Sequence, residues 1–115
     1  MMHELGLCDA IVKMADEILK EEKVEGVNKI VLEIGELSGV AAAFMETSWK
    51  AVTSGTKYED TELEMEMIPG IARCMDCNKE CRAALYDLKC PFCHSEKLAP
   101  VSGTDMTIKQ IEVYE

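Results

Sequence analysis

Between residues 5 and 19 the apolar side chains fall at Leu5, Cys8, Ile11, Val12, Ala15, Ile18 and Leu19. Steps of three and four place them on one helical face, with Asp16, Glu17, Lys20 and Glu21 largely on the other. This helix is expected to fade near Gly26, in a C-cap region. In NKIVLEIGEL the period drops to two. Ile30, Leu32 and Ile34 alternate with Val31, Glu33 and Gly35, which predicts a strand with one well-buried face. Ser38 is a candidate N-cap for a second helix, AAAFMETSWKAVT, whose Ala41, Phe44, Ser48 and Val52 share one face. Gly55 is the expected stop. TELEMEMI then alternates strictly, with Leu63, Met65 and Met67 inward and Glu62, Glu64 and Glu66 outward, as in a half-exposed strand.

Pro69-Gly70 ends this run and the composition changes, because five of the six cysteines lie between Cys74 and Cys93. Ordered alternation resumes after Pro100 and Gly103 in TDMTIKQIEVYE. Met106 and Ile108 take one parity and Ile111 and Val113 the other, so a bulge is expected at Lys109-Gln110. Two strands joined by a helix imply a right-handed crossover and parallel neighbours. The last strand is expected to pair antiparallel with the second. The fold class is therefore α/β (or α+β): a three-stranded mixed sheet with two helices, plus an inserted four-cysteine zinc-ribbon module. The expected division is an α/β domain of residues 1–69 and 101–115, and a metal-binding domain of residues 70–100.

The chain has 115 residues and a net charge of −10. Residues 1–69 carry 6 basic and 15 acidic side chains, so the acidity belongs to the α/β part. Such a surface repels phosphates and anionic membranes, which argues against nucleic acid or a membrane as partner and suits basic proteins or cations. Glu4, Asp9 and Asp16 interrupt the start of the chain, which fits no signal peptide. A cytoplasmic protein is expected, and there clustered cysteines point to metal before disulfide.

The cysteines read Cys74-x2-Cys77-x12-Cys90-x2-Cys93. Each Cys-x2-Cys turns two thiolates toward one point, and two such knuckles make a tetrahedron of sulfurs suited to structural Zn(II). Four thiolates leave no open position for catalysis. A rubredoxin-like iron site would use the same sulfurs, but nothing else in the chain suggests electron transfer. Cys90 to His94 also matches a haem-attachment spacing, which the upstream pair makes unnecessary. A module with so few aliphatics needs its metal to fold. Cys81 reads as a bystander able to substitute as a ligand, and Cys8 as a small buried thiol. His94 is placed to hydrogen-bond a sulfur or tune the site with pH.

The other candidate chemistry lies at MMHELGL. A terminal amine, intervening amides and the His3 imidazole can chelate one ion in a square plane of nitrogens, a geometry suited to Ni(II) or Cu(II). Glu4 follows as an oxygen ligand or a hydrogen-bond acceptor behind the site. The helix beginning immediately afterwards gives these groups a fixed platform.

MHELGLCDAIV at the start, VLEIGELSGV in the first strand and turn, and the paired knuckles together resemble the HypA family. The resemblance runs through essentially the whole chain. It implies a nickel metallochaperone for [NiFe]-hydrogenase, with an α/β nickel-binding domain joined to a zinc ribbon. It further implies nickel as transient cargo at Met2, His3 and Glu4, with the Met1 amine where that residue is retained. Zinc would be structural, held by Cys74, Cys77, Cys90 and Cys93. The implied partners are the GTPase HypB and the hydrogenase large subunit. His94 matches a histidine found after a family knuckle, whereas Asn78 occupies the equivalent place in the first. A urease pathway and a homodimer, formed by exchanging the cysteine module, both stay open.

No nucleophile with its base, phosphate-cradling glycine loop or open-site zinc motif is present, so an enzyme is not expected. The competing reading is a structural zinc-ribbon adaptor between proteins, without a labile metal. Family members begin Met-His-Glu, and the extra methionine here has a coordination consequence. A chain beginning at Met2 offers three nitrogens through His3, whereas one beginning at Met1 offers four and completes the plane. Nickel release measured on both forms should be slower from the Met1 form, and equal rates would refute this reading.

Overall fold

A computed structural model describes residues 4–115. Its elements are α1 (Glu4–Glu22), β1 (Gly26–Gly35), α2 (Ala42–Thr53), β2 (Glu62–Ile68), β3 (Ile71–Cys74), β4 (Glu80–Arg82), a 3-10 turn (Ala83–Tyr86), β5 (Leu98–Ser102) and β6 (Met106–Tyr114). Two three-stranded sheets result, ordered β2-β1-β6 and β4-β3-β5. The chain divides into two compact units. One holds the residues up to Leu32 with Ala41–Glu66 and Ile108–Glu115, and the other holds Glu33–Val40 with Met67–Thr107. Among the described residues no helix is long and apolar enough to cross a membrane.

In the first unit α1 buries Leu7, Cys8, Ile11, Ala15 and Leu19, one stripe at helical spacing. Leu5, expected on that stripe, is exposed, and Leu7 takes its place. The helix stops at Glu22, where Lys23 adopts a left-handed backbone (φ 55°). Gly26 is not its cap but the first residue of β1, lying so close beneath the Tyr114 ring that a Cβ would collide with it. α2 packs against α1 and buries Met45, Trp49 and Thr53. That is one position on from the expected Ala41, Phe44, Ser48 and Val52. The shift turns Phe44 outward, 64% exposed. The large indole decides the rotation, because Trp49 Nε1–H donates to Thr61 O (2.9 Å) only from the buried side.

The polar groups buried with these side chains are all paired. Thr53 Oγ1 donates to Trp49 O (2.7 Å) and Thr61 Oγ1 to Val27 O (2.6 Å). Tyr58 donates to Asp16 Oδ1. Burial, helped by the Asp16 hydrogen bond, moves the Tyr58 hydroxyl well above the ordinary phenol range. Among the described residues no buried side-chain nitrogen or oxygen lacks a partner, as a low-dielectric core requires.

β1 is the central strand, and this corrects the expected topology: β6 lies beside β1, not beside β2. Glu36 N–H donates to Ile68 O just past the ends of β1 and β2, so those strands finish together and run parallel, as expected. Glu25 N–H donates to Tyr114 O and Gly35 N–H to Asp105 O, which makes β6 antiparallel to β1. Apolarity sets the order. Ile30, Leu32 and Ile34 are fully buried and Val31 nearly so, giving β1 two covered faces instead of the one predicted. The charged strands go to the edges. Lys29 on β1 then reaches Glu64 on β2 (3.4 Å) and Glu112 on β6 (3.8 Å). β2 alternates as predicted through Met65 and then slips, leaving Met67 exposed and Glu66 half-buried against Lys109. In β6, Lys109 and Gln110 are both exposed, where the parity was expected to change.

The second unit carries β3 at the centre of its sheet, antiparallel to both neighbours. β5 was not anticipated, because Pro100 argues against a strand, but an edge strand tolerates proline. Ser38 is not the N-cap of α2, a position held by Ala41. Its hydroxyl instead donates to Gly35 O and accepts from Val40 N–H, closing the turn after β1. Glu36 in that turn receives Arg82 in a fork, Nε to Oε1 (3.0 Å) and Nη2 to Oε2 (2.7 Å), and accepts Gly70 N–H (2.9 Å). Gly103 (φ 71°) passes so close to the Pro69 carbonyl that no Cβ fits there.

The Arg82 hydrogen bonds, with that of Gly70, hold the Glu36 carboxyl at about 2, below its ordinary 4.5. A depressed carboxyl contributes stability above pH 4.5 and loses it as pH falls toward 2. Wild type should therefore lose stability across that interval faster than Glu36→Gln, measured as the difference between their acid-unfolding curves. Parallel curves would refute this assignment.

Candidate metal centre

Each Cys-x2-Cys closes into the same backbone loop. In the first, Asn78 N–H donates to Cys74 O (2.9 Å) and Cys74 N–H to Lys79 O (2.8 Å). In the second, His94 N–H donates to Cys90 O (2.8 Å) and Cys90 N–H to Ser95 O (2.9 Å). The residue after each second cysteine lies in the left-handed region, Asn78 at φ 65° and His94 at φ 63°. Asn and His are among the non-glycine residues that accept this conformation most readily. Asn78 and His94 are thus equivalent turn-closing positions, a signal present in CMDCN and CPFCH but legible only once the turns are seen.

β3 delivers Cys74 and the first knuckle, while the segment after the 3-10 turn delivers the second. The sulfurs of Cys74, Cys77, Cys90 and Cys93 all lie within 4.8 Å of one another. Cys74 and Cys93 approach to 3.4 Å, and Cys77 and Cys90 to 3.5 Å. A tetrahedron with metal–sulfur bonds of about 2.3 Å has edges of roughly 3.8 Å, so the set fits one zinc-sized ion in a zinc-ribbon-like arrangement. The four thiols differ, with Cys74 and Cys90 shifted toward the thiolate and Cys77 and Cys93 away from it. The Cys77 N–H bonded to Cys74 Sγ (3.4 Å), outweighing burial and aided by Asp76 N–H, pulls the Cys74 thiol down to about 6. Hydrogen bonds to sulfur favour the thiolate that a metal binds.

Among the described residues no other group of three or more such ligands converges. Cys81, buried on β4 opposite Ala72, stands outside the cluster, and burial followed by the charges of Cys90 and Cys74 raises its thiol. Cys8 is fully buried, with Sγ directed at Met45 O (3.6 Å). Burial, then the Glu4 charge, pushes it up to about 11, an inert thiol.

Of the N-terminal candidates, Met1, Met2 and His3 lie outside the described residues. Glu4 opens α1, and its Oε2 accepts Ala41 N–H (3.4 Å) at the start of α2. α2 has neither a side-chain cap of its own nor an acidic residue in its first turn. Glu4 thus supplies negative charge at that helix end, a role sequence reading missed because the partner is 37 positions away.

As a check on the cysteine assignment, Cys81→Ala should leave the metal content of the purified chain unchanged, whereas Cys90→Ala should lower it severalfold. Elemental analysis distinguishes the two outcomes, and equal losses would place Cys81 among the ligands.

The family model described as "Hydrogenase/urease nickel incorporation, metallochaperone, hypA" matches residues 2–113. Hydrogenase maturation factor HypA of Dechloromonas aromatica is 32% identical over 112 residues, covering 97% of this chain and 99% of that one. The HypA of Aquifex aeolicus is 33% identical, with 97% of each chain covered. Hydrogenase maturation factor HybF of Escherichia coli O157:H7 is 34% identical over the same length, with 97% and 99% covered. In fold, the chain is similar to the solution structure of the Ni metallochaperone HypA from Helicobacter pylori, with a TM-score of 0.65, 20% identity and 98% of each chain covered. The chain belongs to the HypA family of nickel-incorporation metallochaperones, which act in hydrogenase maturation.

Proposed function

We propose that this protein carries Ni(II) as cargo at its N-terminus and delivers it, in the cytoplasm, during [NiFe]-hydrogenase maturation. The observation that carries this reading is the match of residues 2–113 to a family whose description is nickel incorporation. The nitrogens of Met2 and His3, with the Met1 amine where that residue is retained, form the ligand set. A planar nitrogen chelate suits Ni(II), and one left incomplete by a nitrogen leaves a position through which an acceptor can take the ion. Glu4 serves beside them, its carboxylate steadied by Ala41 N–H.

In this reading residues 1–69 and 101–115 form the nickel-binding domain and residues 70–100 the zinc-binding domain. Cys74, Cys77, Cys90 and Cys93 hold Zn(II), which when bound supplies a tetrahedral cross-link with no open position for chemistry. The acceptors are the GTPase HypB and the hydrogenase large subunit, and the family description admits urease as a second destination. The acidic excess suits partners with basic surfaces.

The test is His3→Ala on protein with a free amino terminus. Titration calorimetry should show Ni(II) binding lost, while zinc content and far-UV circular dichroism stay at wild-type values. Unchanged nickel binding would favour an adaptor that carries no labile metal.

A further inference from the structure

The two knuckles are related by more than their backbone turns. Counted from its first cysteine, each loop has a third residue, Asp76 or Phe92, and a sixth, Lys79 or Ser95. The third residue of each loop meets the sixth of the other. Ser95 Oγ donates to Asp76 Oδ2 (2.5 Å), and Lys79 Nζ stands 4.5 Å from the centroid of the Phe92 ring. The chemistry differs, a charge-assisted hydrogen bond on one side and a cation–π contact on the other, but the positions obey one pseudo-twofold rule. The first clasp is reinforced, since Lys97 N–H donates to Ser95 Oγ (3.0 Å) and Met75 N–H to Lys97 O (2.8 Å).

We infer that Asp76, Ser95, Lys79 and Phe92 are positioning residues for the four-cysteine centre. Together they hold the two knuckles in register from either side and slow the escape of the zinc ion. The inference rests on the reading of Cys74, Cys77, Cys90 and Cys93 as a zinc site. None of the four positioning groups is itself a ligand. They act on release because separation of the two knuckles opens the four-sulfur site, and each clasp opposes that motion. Neither contact is needed to fold a knuckle, whose turn is closed by its own backbone hydrogen bonds.

The experiment measures transfer of zinc from the full-length, zinc-loaded chain to the chromophoric chelator 4-(2-pyridylazo)resorcinol. Ser95→Ala and Lys79→Met should each release zinc roughly two- to fivefold faster, as expected for losing one exposed charge-assisted or cation–π contact. The double variant should release it faster than either. Ser95→Thr, which keeps the hydroxyl, and the exchange Asp76→Ser with Ser95→Asp, which rebuilds the clasp in reverse, should both return to within about twofold of wild type. Rescue by exchange separates positioning from a general structural role. Cobalt(II) charge-transfer spectra matching wild type show that each variant still forms its tetrahedral site. Wild-type release from both single variants, or an exchange variant as fast as Ser95→Ala, overturns the inference. Elemental analysis separates the two levels: a chain purified without zinc refutes the zinc reading and this inference with it, whereas one zinc per chain with unchanged rates refutes only the inference.

Discussion

Four cysteine sulfurs within 4.8 Å of one another are the constraint on which the second unit depends. Ionised thiolates at that separation repel strongly, and a divalent cation bound among them would offset that repulsion. Everything nearby serves the convergence. Both loops close by the same pair of backbone hydrogen bonds, and Asn78 and His94 accept the left-handed backbone that each closure needs. Few large side chains are buried in this unit: its buried apolar residues are Ile34, Ala72, Ala83 and the cysteines Cys74, Cys81 and Cys90. Burial at about 25 cal/mol per Å² contributes little from so small a core, where a metal cross-link would add most.

The first unit uses the opposite strategy. Leu7, Ile11, Leu19, Ile30, Leu32, Met45, Trp49 and Tyr58 make a conventional core beneath two packed helices. Its few polar intrusions are each paired, so burial costs little. Cys8, chemically a possible ligand, is in this setting only a small apolar side chain with a raised thiol. The two units thus use cysteine in two ways, as filler in the larger core and as a converging four-sulfur cluster where the core is small.

Much of this was legible in advance. Steps of three and four marked α1 and α2, alternation marked β1, β2 and β6, and the two Cys-x2-Cys pairs marked the metal centre. The errors fell where local pattern competes with distant partners. Phe44 looks like core because it stands three residues after Ala41. Trp49, however, is larger and must satisfy its N–H, so it sets which face of α2 turns inward. Pro100 looked like a break, and only its place on an edge allows β5 to form.

By itself the sequence determined the periodicities, the acidic balance, the cysteine spacing and the N-terminal histidine, because each is a property of residues near one another along the chain. The tertiary structure alone decided that β1 is central and that β6 lies against it, since strand order depends on which strand can bury both faces. It alone brought Glu4 to Ala41, Glu36 to Arg82, and Asp76 and Lys79 to Ser95 and Phe92. Those pairs are separated by 13 to 46 positions, and no local spacing encodes them. They form because folding places matching charge and hydrogen-bonding groups at the same point in space.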